Sequence, residues 1–251
     1  MPVPVAKKAW PGGNLLLSAV PAEERDSLLP HLELVALSSR QILYHAADRI
    51  THVHFPLDSA ISKIGVDRRG GTAESVLLGN EGVVGLNALL GDSRAAGHAI
   101  VQIAGRSYRA GAAAVGDAFE RNAVLRRVIL RYVSSRAFQT LQTSLCNARH
   151  PVEQRLCRWL LQALDRSGRN ELRVTHEQIG MALGMRREAV TMAAVRLQAG
   201  GAIRCSRGRI AVRERAVLEA SSCECYAALR LDLESLAHDL SGIGELPPRP
   251  R

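Results

Sequence analysis

GMRREAVTMAAVRL, residues 184–197, opens with a glycine, continues with two arginines and a glutamate, and then places apolar residues every three or four positions. Val190, Ala194 and Leu197 would form one buried face of a helix running to about 198, where Gly200 and Gly201 stop it. Upstream, THEQIGMAL puts Thr175 three residues before Gln178, the spacing of a capping box, so a first helix begins at about 176. Ile179 and Leu183, four apart, face inward from it, and Gly184 supplies the tight turn. Helix, glycine turn and helix make a helix-turn-helix, a plan that sets the start of the second helix against base edges.

At that start, Arg187, Glu188 and Thr191 lie opposite Val190 and Ala194, with Arg186 at the helix entrance and Thr175 at the entrance to the first helix. Arginine can hold guanine O6 and N7 with two hydrogen bonds, and glutamate can accept from cytosine N4. The hairpin that follows, AIRCSRGRIAVRE (202–214), carries Arg204, Arg207 and Arg209 as a basic wing for the phosphate backbone. Residues 149–215 hold fourteen arginines against six acids. The plainer alternative, a charged face that only keeps a helix solvated, explains an isolated RRE but not the capped helix, turn and wing around it.

The totals are compatible with this reading. The chain has 251 residues and a formal net charge of +9, with Lys7, Lys8 and Lys63 its only lysines. Arginine suits phosphate and guanine, although codon bias produces the same excess. No run approaches the ~18 apolar residues of a membrane span, and MPVPVAKKAW has no signal-peptide core, so a cytoplasmic protein with no membrane partner is expected. Five scattered cysteines (Cys146, Cys157, Cys205, Cys223 and Cys225), none in a CxxC pair, argue against a disulfide framework and against a structural zinc. No metal site is expected.

The texture changes twice along the chain. Residues 1–13 read as a loose lead-in and 14–30 as one or two short helices. Short apolar runs of strand length then follow, LELVAL, QILYH, HVHFPL, AISKIGV, ESVLLG and AIVQIAG, which point to a β-sandwich or barrel interrupted by a turn and short helix in EGVVGLNALLGD. From 116 to 149 no proline or glycine follows Gly116, and a single long helix is expected. Leu125, Val128, Ile129, Tyr132, Leu141 and Leu145 fall near one stripe, read as a dimer seam although Arg136 and Gln139 lie close to it. Covering its own core is the other use for such a helix. Pro151 then starts the next helix, SSCECYAALRLDLESLAHDL adds a short one, and GIGELPPRPR reads as a tail.

Strands, long helix, helix-turn-helix and wing in this order resemble the Crp/Fnr regulators, the family of the cyclic-AMP receptor protein and the fumarate–nitrate regulator. The likeness covers residues 14–220 and is strongest in VTHEQIGMALGMRREAVTMAAVRLQAGGAIRCSRGRIAV. It implies an α+β chain: a jelly-roll sensor domain like those that bind cyclic nucleotides (14–115), a dimerisation helix (116–149), a winged helix-turn-helix domain (150–220) and a C-terminal extension with tail (221–251). It also implies a cytoplasmic homodimer on a palindromic promoter in double-stranded DNA, with RNA polymerase as a candidate further partner, and no enzymatic activity. Arg187 and Glu188 fall on base-reading positions, while Met192 replaces an arginine of the cyclic-AMP branch.

The sensor half departs from that branch. The pocket candidates are Gly85, Leu86, Asn87, Arg94, Ala96 and Gly97, but Leu86 stands where the ribose-binding glutamate would be. Ala96 and Gly97 stand where the phosphate-binding arginine and serine would be, and Arg94 lies two residues away. Losing several charge-assisted hydrogen bonds of ~1.5–3 kcal/mol each argues against normal cyclic-AMP binding. The chain lacks the N-terminal cysteine cluster of the oxygen-sensing branch, so no cofactor is expected and the effector stays unidentified. His52 and His54 of HVH share a strand face that could bind metal but are read as an exposed strand face, and Cys223 and Cys225, a CxC pair that could sense oxidants or metal, are read as packing residues. Two alternatives remain open: the same fold gated by another small effector such as a cyclic dinucleotide, or a protein-interaction module that no longer reads DNA. No nucleophile–base pair, metal-ligand spacing or phosphate loop supports catalysis.

Overall fold

The computed structural model describes residues 13–25 and 27–243. The lead-in up to residue 12 and the tail from 244 lie outside the described residues. Two short helices, α1 (Leu15–Ser18) and α2 (Ala22–Arg25), precede the β-roll. Its strands are β1 (Glu33–Leu37), β2 (Ile42–Tyr44), β3 (His52–Pro56), β4 (Ala60–Val66), β5 (Thr72–Leu78), β6 (His98–Ile103) and β7 (Gly105–Gly111). They form two antiparallel sheets in the orders β1-β7-β3 and β2-β6-β4-β5. Alternating residues such as Val53, Phe55, Ile61, Val101 and Tyr108 fill the shared core. Six of the seven strands coincide with the apolar runs of the sequence; β7, GRSYRAG, is the one not anticipated. His54 is not on an exposed face: it is 7% exposed, and only His52 faces solvent.

The long helix is two helices. α3 (Ala112–Arg121) ends where Asn122 adopts an extended backbone (φ −103°, ψ 108°), and α4 (Ala123–Arg149) starts there. Asn122 Oδ1 accepts from Leu125 N at 2.8 Å, so the polar side chain that ends one helix caps the next.

Beyond α4 come α5 (Val152–Ser167), β8 (Glu171–Leu172), α6 (His176–Leu183), α7 (Arg187–Ala199), β9 (Ile203–Ser206), β10 (Arg209–Val212), α8 (Arg215–Ala220) and α9 (Glu224–Ile243). The last is a twenty-residue helix rather than a short one. It runs antiparallel along α4: Arg131 pairs with Asp239 at 2.6 Å, Ser135 donates to Asp232 at 2.5 Å, and Gln142 donates to Cys225 Sγ at 3.1 Å. Leu236, Leu240 and Ile243 join the core of the β-roll.

α5 connects the halves. Trp159 and Leu160 pack with Ala60, Leu77 and Ile103 of the roll and with Ile179, Val190 and Ile210 of the C-terminal domain. Two carboxylates of the roll enter this joint. Glu81 forms a buried ion pair with Arg166 at 2.9 Å, and Glu74 accepts from Ser62 and from Trp159 Nε1. Burial pushes the Glu74 carboxyl up, against the hydrogen bonds from Ser62 and Trp159 and the charges of Arg158 and Arg166.

Candidate nucleic-acid interface

Thr175 closes the capping box: its hydroxyl accepts from Gln178 N at 3.2 Å, and Gln178 Oε1 accepts from Thr175 N at 3.0 Å. That hydroxyl is spent on the cap, so Thr175 serves the interface by fixing where α6 begins. Gly184 is left-handed (φ 64°, ψ 40°), and a Cβ there would lie 2.8 Å from the Thr72 carbonyl of the roll. Gly180 is equally constrained, since a Cβ would lie 2.8 Å from the Met185 carbonyl. The pair allows α6 and α7 to close on each other and the turn to rest on β5, where Thr72 Oγ1 donates to Met181 O at 2.9 Å.

The start of α7 stays open to solvent. Arg186, its N-cap residue, together with Arg187 and Glu188, is exposed, while Val190, Ala194 and Leu197 are buried as their spacing requires. Thr191 is half-buried. Its hydroxyl donates to Arg187 O at 3.0 Å and meets His176 Nδ1 at 2.9 Å, which bridges α7 to α6. Burial first, then the Arg187 charge, lowers the pKa of His176. Met192, 59% exposed, and Val195 continue the open face of the helix with apolar groups.

The wing is β9 and β10 with Ser206, Arg207 and Gly208 around its turn, and β8 completes the three-stranded sheet. A groove of 530 Å³ separates it from the helices, lined by Thr175, His176 and Arg187 on one side and Arg207 and Arg209 on the other. Arg204 and Arg207 are exposed, while Arg209 pairs with Glu171 at 3.4 Å. The fourteen arginines of this region are therefore not equivalent. Arg155, Arg158 and Arg166 are buried, and Arg196 and Arg215 pair with Glu153 and Asp165, each at 2.7 Å. Positive charge concentrates at the helix tip and the wing.

The other sequence-derived sites fare unevenly. Leu125, Val128, Ile129 and Tyr132 are completely covered by the chain's own roll and α9, so they cannot form a seam with a second copy. Leu141 and Leu145 are 68% and 48% exposed. Leu130, Ser134, Ala137 and Phe138 are exposed with them and were missed because the longest apolar run on α4 is the one that covers its own core. In the β-roll, Gly85 is left-handed (φ 95°) and caps the short 3-10 helix Leu86–Leu89. Gly97 packs against the backbone, where a Cβ would lie 2.6 Å from Ile64 O. Ala96 is exposed, and Arg94 reaches Ala47 O at 3.4 Å. Asn87 Oδ1 accepts from Lys63 Nζ at 3.3 Å. Burial lowers the pKa of that lysine, and Arg136 of α4 adds to the effect. Tyr44 meets the Gly85 backbone and is pushed up to about 12 by burial. Lys63, Arg136 and Tyr44, which lie beside the candidates Asn87 and Gly85, were not anticipated, since single polar residues in apolar runs carry no positional signal.

Residues 154–221 match the family model of the Crp-like helix-turn-helix domain. Solved structures of similar fold include FixK2 from Bradyrhizobium japonicum (TM-score 0.65, 15% identity, 76% of this chain and 98% of that one). A putative Crp/Fnr regulator from Eubacterium rectale aligns with TM-score 0.64 at 16% identity over 82% of this chain and 96% of that one. CLP of Xanthomonas campestris, described as a c-di-GMP-responsive global regulator, aligns with TM-score 0.61 at 16% identity over 77% of this chain and all of that one. No curated protein matches by sequence. Among the described residues, no helix is long and apolar enough to cross a membrane. With a Crp-like helix-turn-helix over 154–221 set beneath a roll and long helix of matching architecture, the chain has the fold of the Crp/Fnr transcription regulators and carries their DNA-binding domain.

Proposed function

We propose that the protein is a homodimeric, sequence-specific transcription regulator that reads a palindromic promoter site. The supporting observation is the open tip of α7, where Arg187 faces Arg207 and Arg209 across a groove and Arg186 and Glu188 beside it, like Arg204 on the wing, are exposed. Arg187 and Glu188 address base edges, Arg207 and Arg204 the phosphates, and Met192 offers an apolar contact suited to a thymine methyl. The exposed stripe of α4, Leu130, Ser134, Ala137 and Leu141, repeats at three- and four-residue intervals and supplies a seam for a second copy. Two recognition helices would then meet half-sites about 34 Å apart. Selection of bound duplexes from a random pool tests this reading. A palindrome with that spacing supports it. A monomer indifferent to every duplex overturns it and leaves the protein-interaction role.

A second reading concerns the trigger. Lys63 and Arg136 are cationic groups beside Asn87, Tyr44 and Gly85, and Arg136 Nη1 is buried without a hydrogen-bond partner. They favour a small anionic effector that is held differently from cyclic AMP, a cyclic dinucleotide among the candidates. Calorimetry with a nucleotide panel on free and DNA-bound protein checks it, because an effector must bind the two forms with different affinities.

A further inference from the structure

Three of the cysteines that are dispersed in sequence meet in space. Cys146 in the last turn of α4, His150 at its C-cap, and Cys223 and Cys225 at the entrance to α9 each offer one ligand atom, and all four atoms lie within 4.8 Å of one another. Cys146 Sγ is 3.5 Å from Cys223 Sγ, and Cys225 Sγ is 3.4 Å from His150 Nδ1. Four ligands around one tetrahedral ion with metal–sulfur bonds of ~2.3 Å stand about 3.8 Å apart, close to these separations. A polynuclear iron–sulfur cluster spreads its ligands over different irons and needs a wider cage.

We propose that Cys146, His150, Cys223 and Cys225 bind one thiophilic divalent cation, zinc above all, in a closed tetrahedral Cys3His site. The surroundings match that chemistry. His150 turns Nδ1 inward, while its Nε2 meets the Glu224 carboxylate at 3.1 Å, the outer-shell arrangement that fixes the ring of a metal-bound histidine. The Cys-Glu-Cys triplet therefore has a division of labour: the two thiols face the ion and the carboxylate between them orients the imidazole. Gln142 Nε2 donates to Cys225 Sγ at 3.1 Å. Three thiolates, a neutral imidazole and a divalent ion carry one net negative charge, and the buried Arg158 and Arg155 lie near enough to act electrostatically on Cys146. All three cysteines are buried, which leaves no open coordination position for substrate and marks the site as a clamp. It joins the end of α4, the linker into α5 and the start of α9. Binding displaces the thiol protons to solvent, so affinity rises with pH.

The test uses the full chain, reduced and reconstituted with zinc or cobalt(II). Elemental analysis is expected to find about one metal per chain. The cobalt form is expected to show thiolate-to-metal charge transfer together with tetrahedral d–d bands. Glu224→Gln should weaken binding by about tenfold or more through the histidine. The double variant Cys223→Ser, Cys225→Ser should lose the metal, whereas Cys157→Ser and Cys205→Ser, outside the cluster, should keep it. A reduced wild-type protein without the charge-transfer band, or the same stoichiometry in the double variant, overturns the site. The wild-type cobalt spectrum decides the matter even if the double variant fails to fold, and neither readout involves DNA.

Discussion

Trp159 of α5 donates its indole N–H to the Glu74 carboxylate of β5 at 3.2 Å, a buried bond that spans 85 residues and joins the two halves of the chain. Trp159→Phe keeps an aromatic ring but removes the N–H donor and part of the buried indole volume, so Glu74 loses one of its hydrogen-bond partners and a small void is left. A loss of about 1–3 kcal/mol is expected, read as a lower urea midpoint at unchanged slope.

Arg187→Ala and Arg207→Ala should separate base reading from phosphate binding. The first is expected to cost about 1–3 kcal/mol and to relax preference at one base pair per half-site. The second should weaken all sequences alike and reduce the salt slope by about 1. Selected-pool sequencing and salt-dependent titrations check the two, and an unchanged preference in Arg187→Ala would remove that residue from the reading set.

On α4, exposure separates the proposed dimer seam from the core. Leu141→Glu should give a folded monomer with about a hundredfold weaker DNA binding, because the second half-site no longer adds to the first. Tyr132→Ala should instead cost about 3–5 kcal/mol of stability, since its ring fills the core of its own chain. Sedimentation and thermal melts distinguish them.

His54 introduces an acid limb. Burial first, then Arg109 and His52, lowers its pKa from 6.5 to about 4. The unfolded chain therefore takes up this proton first as pH falls. Stability from this group is complete above about 6.5 and declines until about 4, by roughly 3 kcal/mol in all. Denaturation curves between pH 7 and 4 should show the decline, and His54→Leu should flatten it.

The helix-turn-helix was legible because its determinants are local: a capping pair three residues apart, a glycine that must be left-handed, and apolar residues at helical spacing. Six strands were legible from their alternation, and β7 was hidden by its glycines and arginines. Burial on α4 was not legible, since periodicity shows that a stripe exists but not whether the roll or another copy covers it. The Asn122 break was readable only as a polar residue in a long helical run, and such residues often sit mid-helix. Cys146 and Cys223 stand 77 positions apart, so their meeting depends on α9 folding back along α4, a tertiary event without a motif.

That returning helix also limits how the molecule can move. α9 reaches from the base of the winged domain to the floor of the β-roll, where Leu236, Leu240 and Ile243 are seated. It works as a strut across the Pro151 joint, so any swing of the helix-turn-helix domain must either carry the strut along or peel it away from α4. A chain cut at residue 221 would lose this brace and uncover apolar surface on the β-roll, leaving the α5 joint and the Thr72–Met181 bond to hold the two halves together.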